Sequence, residues 1–221
     1  MTKKVLTLAF VVILSLTIFS VMSFGAFDGY ALRFNNQEIL DKLALTNTTV
    51  ELKDGYATLT STQHDPNVIY KFEGDDVLNA DKYKYAVVKY RTSYKQDGLI
   101  SEFYFHSDAS NYKHPDTHVT YAPTTDGEWV RAVINFGSLA AWAGEIKSIR
   151  FDYLEGSNLP ADSALDIEYI AFFETEEAAK AFDDNFDAEP TNPETFDQSI
   201  LFVYVALVAL AGIVAKKKLA F

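Results

Sequence analysis

Apolar and polar residues alternate with a period of two along most of residues 27–182, which is the pattern of half-buried β-strands. The pairs Asp54-Gly55, Asp97-Gly98 and Asp126-Gly127 separate several alternating segments, and an Asp-Gly pair in such a place favours a tight turn. The pattern predicts strands at residues 48–53, 56–62, 68–72, 85–92, 99–106, 117–121, 128–136, 146–154 and 165–173.

Two short helices interrupt the strand pattern. The first is predicted near residues 37–43. The second is predicted over residues 176–182, where Thr175 supplies an N-cap and acidic residues fill the first turn. Short strands at regular spacing with few helices predict an all-β fold built as a two-sheet sandwich.

The N-terminal end of the chain departs from this pattern because it is almost wholly apolar. Lys3 and Lys4 precede an apolar run over residues 5–22, and small residues follow it, which is the layout of a secretory signal peptide. Residues 1–25 are therefore predicted to be a signal peptide. The run is long, so an uncleaved N-terminal anchor is the alternative.

The C-terminal end is apolar over residues 200–215 and then basic at Lys216, Lys217 and Lys218. This pattern predicts a transmembrane helix over residues 199–215 and a cytoplasmic basic tail at residues 216–221. As a helix, the apolar run of residues 200–215 would reach about 24 Å, short of the ~30 Å hydrocarbon core, and snorkelling lysines would make up the difference. The body would then be exported and held at the cell membrane or cell wall surface.

Residues 183–198 are acidic, contain two prolines and lack apolar periodicity, which predicts a flexible linker. Within the linker, the sequence NPETF at residues 192–196 resembles the NPxTG-type sorting signals of Gram-positive surface proteins. That resemblance implies a sortase as partner and Thr195 as the residue joined to the wall. Phe196 stands where the family has Gly, so an unprocessed membrane anchor is the alternative.

Composition narrows the possible functions. The 48% apolar content is enough for a packed core, and the absence of cysteine excludes disulfides, Cys-ligated metal and a cysteine nucleophile. The whole chain carries a net charge of −12. Without the five lysines near the two ends of the chain, at 3, 4 and 216–218, 14 of the 19 basic residues remain against 31 acidic ones. The exported part would therefore carry a net charge of about −17. Such a body does not bind nucleic acid through a basic face.

Three segments carry a resemblance to a known class of modules: TDGEWVRAVINF at residues 125–136, IKSIRFDYLEG at 146–156 and SALDIEYIAFFETEEAAKAF at 163–182. They resemble bacterial surface modules of the galactose-binding, jelly-roll type, which are similar to carbohydrate-binding modules. The resemblance covers residues 50–182, although Glu168 stands where Asp is commoner. It implies that residues 26–182 form a jelly-roll sandwich and that the partner is a cell-surface or environmental glycan.

The sequence contains no G-x-S-x-G, G-x-G-x-x-G or Walker motif, and no E-x-D-x-x-E strand of the kind found in jelly-roll glycosidases. We therefore expect a binding module and not an enzyme. A structural surface-layer or envelope protein without a small ligand is the first alternative, and a glycan-active enzyme is the second.

Alternation along the middle strands predicts a ligand-binding face. If Tyr90 and the phenylalanines of residues 99–106 fill the core, one sheet displays the intervening polar residues together. A mixture of aromatic rings and charged groups suits a pyranose. A flat aromatic ring covers the apolar face of the sugar, and charged groups bind the hydroxyls of the sugar. An ordinary solvated sheet with paired charges is the alternative. The candidate ligand-binding residues on this face are Arg91, Glu102, Tyr104, His106 and Arg131.

Two aromatic residues outside these strands are further candidates. Tyr112 lies in the loop 107–123 and is predicted to line the rim of the glycan site. Trp142 is a candidate stacking platform for a sugar ring, with packing in the sandwich as the alternative.

Two carboxylates, Asp152 and Asp166, point away from the core by alternation and are candidate ligands of a structural calcium ion, which prefers oxygen ligands. The alternative is a surface ladder in which Arg150 pairs with these carboxylates and with Glu168. No other cofactor is expected.

Overall fold

The computed structural model describes residues 27–187, except 75, 109, 113–115, 124, 157 and 158. The predicted signal peptide, transmembrane helix, basic tail and Thr195 lie outside the described residues, as does the linker beyond residue 187. Within the described part, no helix has the length and apolar character that crossing a membrane requires. Residues Asp28–Asp183 form one compact unit, called the body below. In the other unit, the rings of Phe27 and Phe186 meet edge-on with centroids 5.0 Å apart.

The body consists of short strands with two brief helices. Its strands are β1 (Tyr30–Arg33), β2 (Leu43–Thr46), β3 (Thr48–Leu52), β4 (Ala57–Ser61), β5 (Asn67–Lys71), β6 (Leu78–Asn79), β7 (Tyr85–Arg91), β8 (Ile100–Ser107), β9 (Ser110–Asn111), β10 (His118–Tyr121), β11 (Val130–Asn135), β12 (Glu145–Glu155) and β13 (Ala164–Phe173). The helices are α1 (Gln37–Asp41) and α2 (Glu176–Ala181), and a 3₁₀ turn covers Phe136–Ser138.

The strands form two sheets, and every described strand pair is antiparallel. The β13 sheet has the order β11-β7-β13-β4-β3, with β1 also paired to β13. The β12 sheet has the order β10-β8-β12-β5-β2, with β6 paired to β12 and β9 to β8. From β10 to β13, consecutive strands change sheet at each step. An all-β body of two antiparallel sheets with such crossovers is consistent with a jelly-roll sandwich.

The nine predicted strands are confirmed, with ends that differ by two residues or fewer. The helix predicted over residues 176–182 is also confirmed, and the Thr175 side chain accepts a hydrogen bond from the Ala178 backbone N–H at 3.1 Å. Four strands were missed: β1, β2, β6 and β9. Each has four residues or fewer, so alternation has too few positions to stand out.

The core between the sheets is rich in aromatic rings. Phe103 on β8 and Phe151 on β12 stack with centroids 4.4 Å apart and an interplanar angle of 7°. The rings of Phe105, Phe136 and Trp142 pack beside them, at 4.8 Å between Phe105 and Trp142 and 4.2 Å between Phe136 and Trp142. Such pairs add to the stability that burial of their area provides.

The outer side of the β13 sheet is covered at one end by α2. Phe182, just after α2, packs its ring against Tyr169 and Phe173 of β13, at 5.7 and 5.2 Å between centroids. The pairing of β13 with β7 shifts its register between Ile167 and Tyr169. Beyond this shift, side chains on both sides of β13 are buried. The other end of the same outer side remains open to solvent and carries Arg91 and Asp166.

Candidate functional site

The predicted ligand-binding residues do not share one sheet. Arg91 on β7 and Arg131 on β11 belong to the β13 sheet, whereas Glu102, Tyr104 and His106 on β8 belong to the β12 sheet. The prediction of a single face was wrong because alternation tells which side of a strand is outward, but it does not tell which sheet the strand joins. The two groups lie on opposite outer sides of the sandwich.

The larger group lies on the outer side of the β12 sheet, where strand register brings side chains of three neighbouring strands into rows. His118 of β10 and Arg150 of β12 both lie opposite Tyr104 of β8. In the next row, Asp152 lies opposite Glu102, and in the row on the other side Ser148 lies opposite His106. We call this surface the β12 face, defined by Glu102, Tyr104, His106, Tyr112, His118, Ser148, Arg150 and Asp152.

The Tyr104 ring stands between two planar groups. The His118 ring stacks on it with centroids 5.1 Å apart and an angle of 17°, and the guanidinium carbon of Arg150 lies 5.3 Å from the ring centre. Both neighbours occupy space beside the ring faces, so the ring offers its edge and hydroxyl to solvent. The expectation that this ring lies flat for a pyranose therefore does not match its surroundings.

The Tyr104 hydroxyl donates a hydrogen bond to Glu102 at 3.2 Å. Burial, together with the negative charge of Glu102, raises the pKa of Tyr104 to about 12. The phenol thus stays protonated at neutral pH. On its other side, Glu102 lies 3.7 Å from Nε2 of His118. Glu102 therefore orients two ring systems of the β12 face.

Arg150 is held by carboxylates on the same face. Its Nε and Nη2 donate to the two oxygens of Asp152 at 2.7 and 2.5 Å, and Nη2 also donates to Asp65 at 3.0 Å. This forked pairing fixes the guanidinium plane beside Tyr104. Neither His118 nor Arg150 was predicted as a ligand-binding residue, since only the register of β10 and β12 against β8 reveals that they flank Tyr104.

Asp152 is the buried carboxylate of this face, with 2% of its side chain exposed. Burial raises its pKa to about 7, against the influence of Arg150, and the nearby charges of Asp65 and Glu102 act in the same direction as burial. Oxygens of Asp65, Asp152 and Glu155 lie within 4.8 Å of one another. Oxygen ligands at this spacing could hold a cation such as calcium.

The two predicted calcium ligands lie apart. Asp152 belongs to the β12 sheet, whereas Asp166 of β13 accepts hydrogen bonds from Arg91 Nε and the Thr58 hydroxyl, each at 2.7 Å. The two carboxylates therefore cannot share an ion. The alternative ladder is also divided between the sheets: Arg150 pairs with Asp152, Asp166 with Arg91, and Glu168 with Lys89 at 2.6 Å.

Tyr112 does lie beside the predicted face. Its hydroxyl is hydrogen-bonded to the Ser148 hydroxyl, and its ring lies 5.8 Å from that of His106. The structure thus brings together four of the predicted residues: Glu102, Tyr104, His106 and Tyr112.

Trp142 and Arg131 lie elsewhere. Trp142 is 3% exposed, its indole N–H donates to the Tyr83 carbonyl at 2.7 Å, and its ring packs in the core. Its ring faces are therefore covered by protein, which corresponds to the packing alternative. The Arg131 guanidinium donates to the Phe182 carbonyl just after α2, so it ties the helix end to the sheet.

No family model matches this sequence, and no curated protein matches it. A low-affinity xylan-binding module, CBM86, from Roseburia intestinalis is 11% identical, with 68% of this chain and 98% of that one covered and a TM-score of 0.45. A family 29 carbohydrate-binding module is 11% identical, with coverages of 71% and 99% and a TM-score of 0.47.

A family 6 carbohydrate-binding module from Clostridium cellulolyticum, solved with xylose, is 9% identical, with coverages of 66% and 97% and a TM-score of 0.42. Identities and TM-scores this low carry no argument about what this chain binds. The assignment of a two-sheet, jelly-roll-like sandwich rests on the order and pairing of its strands.

Proposed function

We propose that this chain is a non-catalytic carbohydrate-binding module, exported and displayed at the surface of a bacterial cell, and that the β12 face is its glycan-binding surface. The observation that carries the proposal is the row formed by His118, Tyr104 and Arg150 across three neighbouring strands. These groups are partly exposed, and hydrogen bonds or ring contacts with one another hold them in place.

The chemistry of this face suits sugar hydroxyls. Glu102 supplies acceptor oxygens, while Tyr104, Arg150 and the histidines supply donors around the exposed edge of the Tyr104 ring. Each hydroxyl of a sugar both donates and accepts, so a surface that mixes the two kinds of group can bind several neighbouring hydroxyls. Because the side chains are already held by their neighbours, little rotamer freedom remains to be lost when a ligand binds.

The size of the sheet favours an oligosaccharide over a single ring. The strands lie in the order β10-β8-β12-β5-β2, and four spacings of ~4.8 Å make the sheet about 19 Å wide. Exposed polar side chains lie on the outer strands, with Thr120 on β10 and Thr46 on β2, whereas Asn67 on β5 between them is buried. We propose that a glycan chain lies across the strands.

Display at the cell surface is the second part of the proposal. It is supported by the sequence of residues 1–25 and 199–221, which has the pattern of an export signal and a lysine-stopped anchor. An acidic surface on a cysteine-free body suits an exported protein that needs no oxidative folding. Thr195 remains a candidate for wall attachment by a sortase.

The alternative, a structural envelope protein without a small ligand, has one observation in its favour. Lys89 and Arg91 on the outer side of the β13 sheet are each paired with a carboxylate there, Glu168 and Asp166 respectively. Charged side chains that are already paired with each other do not need a ligand as a partner. The two functions differ in one measurement, which is saturable binding of a soluble oligosaccharide.

The test is isothermal titration of the full chain with xylan and mixed-linkage β-glucan oligosaccharides, which are neutral chains whose hydroxyls match the mixed donors and acceptors of the β12 face. A glycan array extends the search to other linkages. We expect saturable binding that Tyr104→Ala weakens at least about tenfold, the effect of losing a well-placed contact. Thr60→Ala, on the outer side of the β13 sheet, is the matched control and leaves the affinity unchanged.

Two results would contradict the proposal. One is the absence of binding to every polysaccharide on the array. The other is binding that is equal in Tyr104→Ala, in Glu102→Gln and in the unchanged chain, because a glycan on the β12 face must contact these residues.

A further inference from the structure

A groove lies where β7 ends and β13 begins, at the open end of the β13 sheet and in the loops beside it. It consists of two depressions of 240 and 380 Å³ that share Ser93 and Ala164 in their walls. Arg91 and Asp166 also line the first depression. The second lies within the range of about 300–1,000 Å³ that is typical of small-molecule sites.

Arg91 is held rigidly at this groove. Its Nε donates to Asp166 at 2.7 Å and its Nη2 donates to the Tyr56 hydroxyl at 3.2 Å. Its guanidinium carbon also lies 4.7 Å from the centre of the Trp129 ring and 5.1 Å from that of Tyr56. Contacts to two aromatic rings and a carboxylate fix the plane of the guanidinium.

This arrangement leaves donors available at the groove. Among the described residues, the Nη1 group of Arg91 has no hydrogen-bond partner, and neither does the Ser93 hydroxyl. Both residues line the first depression. A fixed donor of this kind binds an acceptor without first giving up another protein contact, so its hydrogen bond is made at little cost in side-chain order.

The charges and rings at the groove specify the ligand. Asp166 balances the charge of Arg91, and Asp162 adds a further negative charge to the second depression, so an anionic ligand is not favoured. Carboxylate acceptors beside guanidinium and hydroxyl donors match the hydroxyl groups of a neutral sugar. Tyr94 lines the second depression and offers a ring edge or face to a pyranose.

We propose that this groove is a second saccharide site, which takes a neutral mono- or disaccharide unit at the end of a glycan chain. The site does not depend on the β12 face, because the two share no residue and the strand residues of the groove, Arg91, Ala164 and Asp166, belong to the β13 sheet. If both sites are occupied, one chain connects two glycans, and binding to a polysaccharide matrix gains from effective concentration.

The test is NMR titration of the full chain with xylobiose, cellobiose and lactose in turn. We expect at least one disaccharide to produce saturable shifts of the Ser93 and Ala164 amides and of the Trp129 indole N–H. Arg91→Ala should raise the Kd for these shifts about tenfold, the loss expected for a hydrogen bond to a charged donor. Ser93→Phe, a change in an exposed loop, should block the groove without disturbing the core.

Lys89→Ala is the matched control, because Lys89 lies two residues away on the same side of β7 and pairs with Glu168. It should leave the Kd unchanged. The inference is overturned if none of the three disaccharides shifts these signals, or if Arg91→Ala and Ser93→Phe both titrate like the unchanged chain. Tyr104→Ala separates the two proposals: groove binding that survives this variant supports the second site, whatever happens at the β12 face.

Discussion

Arg150 and Tyr104 lie directly opposite each other on β12 and β8, with the guanidinium carbon 5.3 Å from the centre of the ring. Asp152, buried two residues further along β12, holds the guanidinium by two hydrogen bonds. The position of the Tyr104 ring is therefore coupled to a buried ion pair. This coupling makes the stability of the β12 face dependent on Arg150 and on the protonation of Asp152.

Removal of Arg150 should destabilise the body. Arg150→Ala leaves the Asp152 carboxylate buried without its partner, which we expect to lower the free energy of unfolding by about 2 kcal/mol at pH 8. Urea denaturation followed by tryptophan fluorescence measures the change. Lys147→Ala, an exposed neighbour on the same strand, should change stability by less than about 0.5 kcal/mol. Equal stability of Arg150→Ala and the unchanged chain would contradict this role.

The stability of the body should fall as pH rises from about 4 to about 7, between the pKa values of Asp152 in the unfolded and in the folded chain. The pKa of Asp152 is about 7 in the folded chain, against 3.8 for an unperturbed aspartate. Between these values the folded state holds a proton that the unfolded state has released, so stability decreases with rising pH. The decrease should reach at most about 4 kcal/mol for this one group.

Asp152→Asn tests the origin of this dependence, because an amide does not titrate. Urea unfolding at intervals from pH 4 to pH 8 should give a curve for this variant that is flatter than that of the unchanged chain. Glu155, whose pKa is also raised by burial and by Asp65, contributes to whatever slope remains. If both chains show the same slope, Asp152 is not the titrating group.

Trp142 should act in packing and not in ligand binding. Trp142→Ala removes a ring that stacks on Phe136, and we expect a loss of about 3–5 kcal/mol in stability. Trp142→Phe keeps a ring but loses the hydrogen bond to the Tyr83 carbonyl, which should cost about 1–3 kcal/mol. Affinity for any oligosaccharide, measured where Trp142→Phe is still folded, should match that of the unchanged chain; a selective loss of affinity would show that the ring contacts sugar.

The N-cap of α2 should contribute measurably to stability. Thr175→Ala removes the side-chain oxygen that accepts from the Ala178 N–H, and we expect the chain to lose about 1 kcal/mol. Thr175→Ser keeps the acceptor and should behave like the unchanged chain. Thermal unfolding by circular dichroism compares the three proteins, and a Ser variant as unstable as the Ala variant would show that the cap is not the cause.

Local patterns predicted much of the architecture. Alternation located β8 and placed Phe103 and Phe105 inside and Glu102, Tyr104 and His106 outside, as the structure has them. It also located the turn at Asp54-Gly55, where Gly55 has a φ of +88° that a residue without a Cβ adopts readily. These features depend only on residues close together in the sequence.

The composition of each face could not be predicted in the same way. Whether β7 joins β8 or β13 is decided by contacts between residues 75 positions apart, such as Arg91 and Asp166. The same holds for His118 and Arg150, which reach Tyr104 from strands on either side. Local periodicity contains no information about partners at such separations, so Arg91 and Tyr104 were assigned to one surface when they belong to two.

The position of β13 has a consequence for how the body is made. It is the last strand in the sequence, yet β1, β4 and β7 all pair with it. A nascent chain that has not reached residue 173 therefore lacks the central member of one sheet, and its earlier strands have exposed edges. Assembly of this sheet must therefore wait until nearly all of the body has been synthesised.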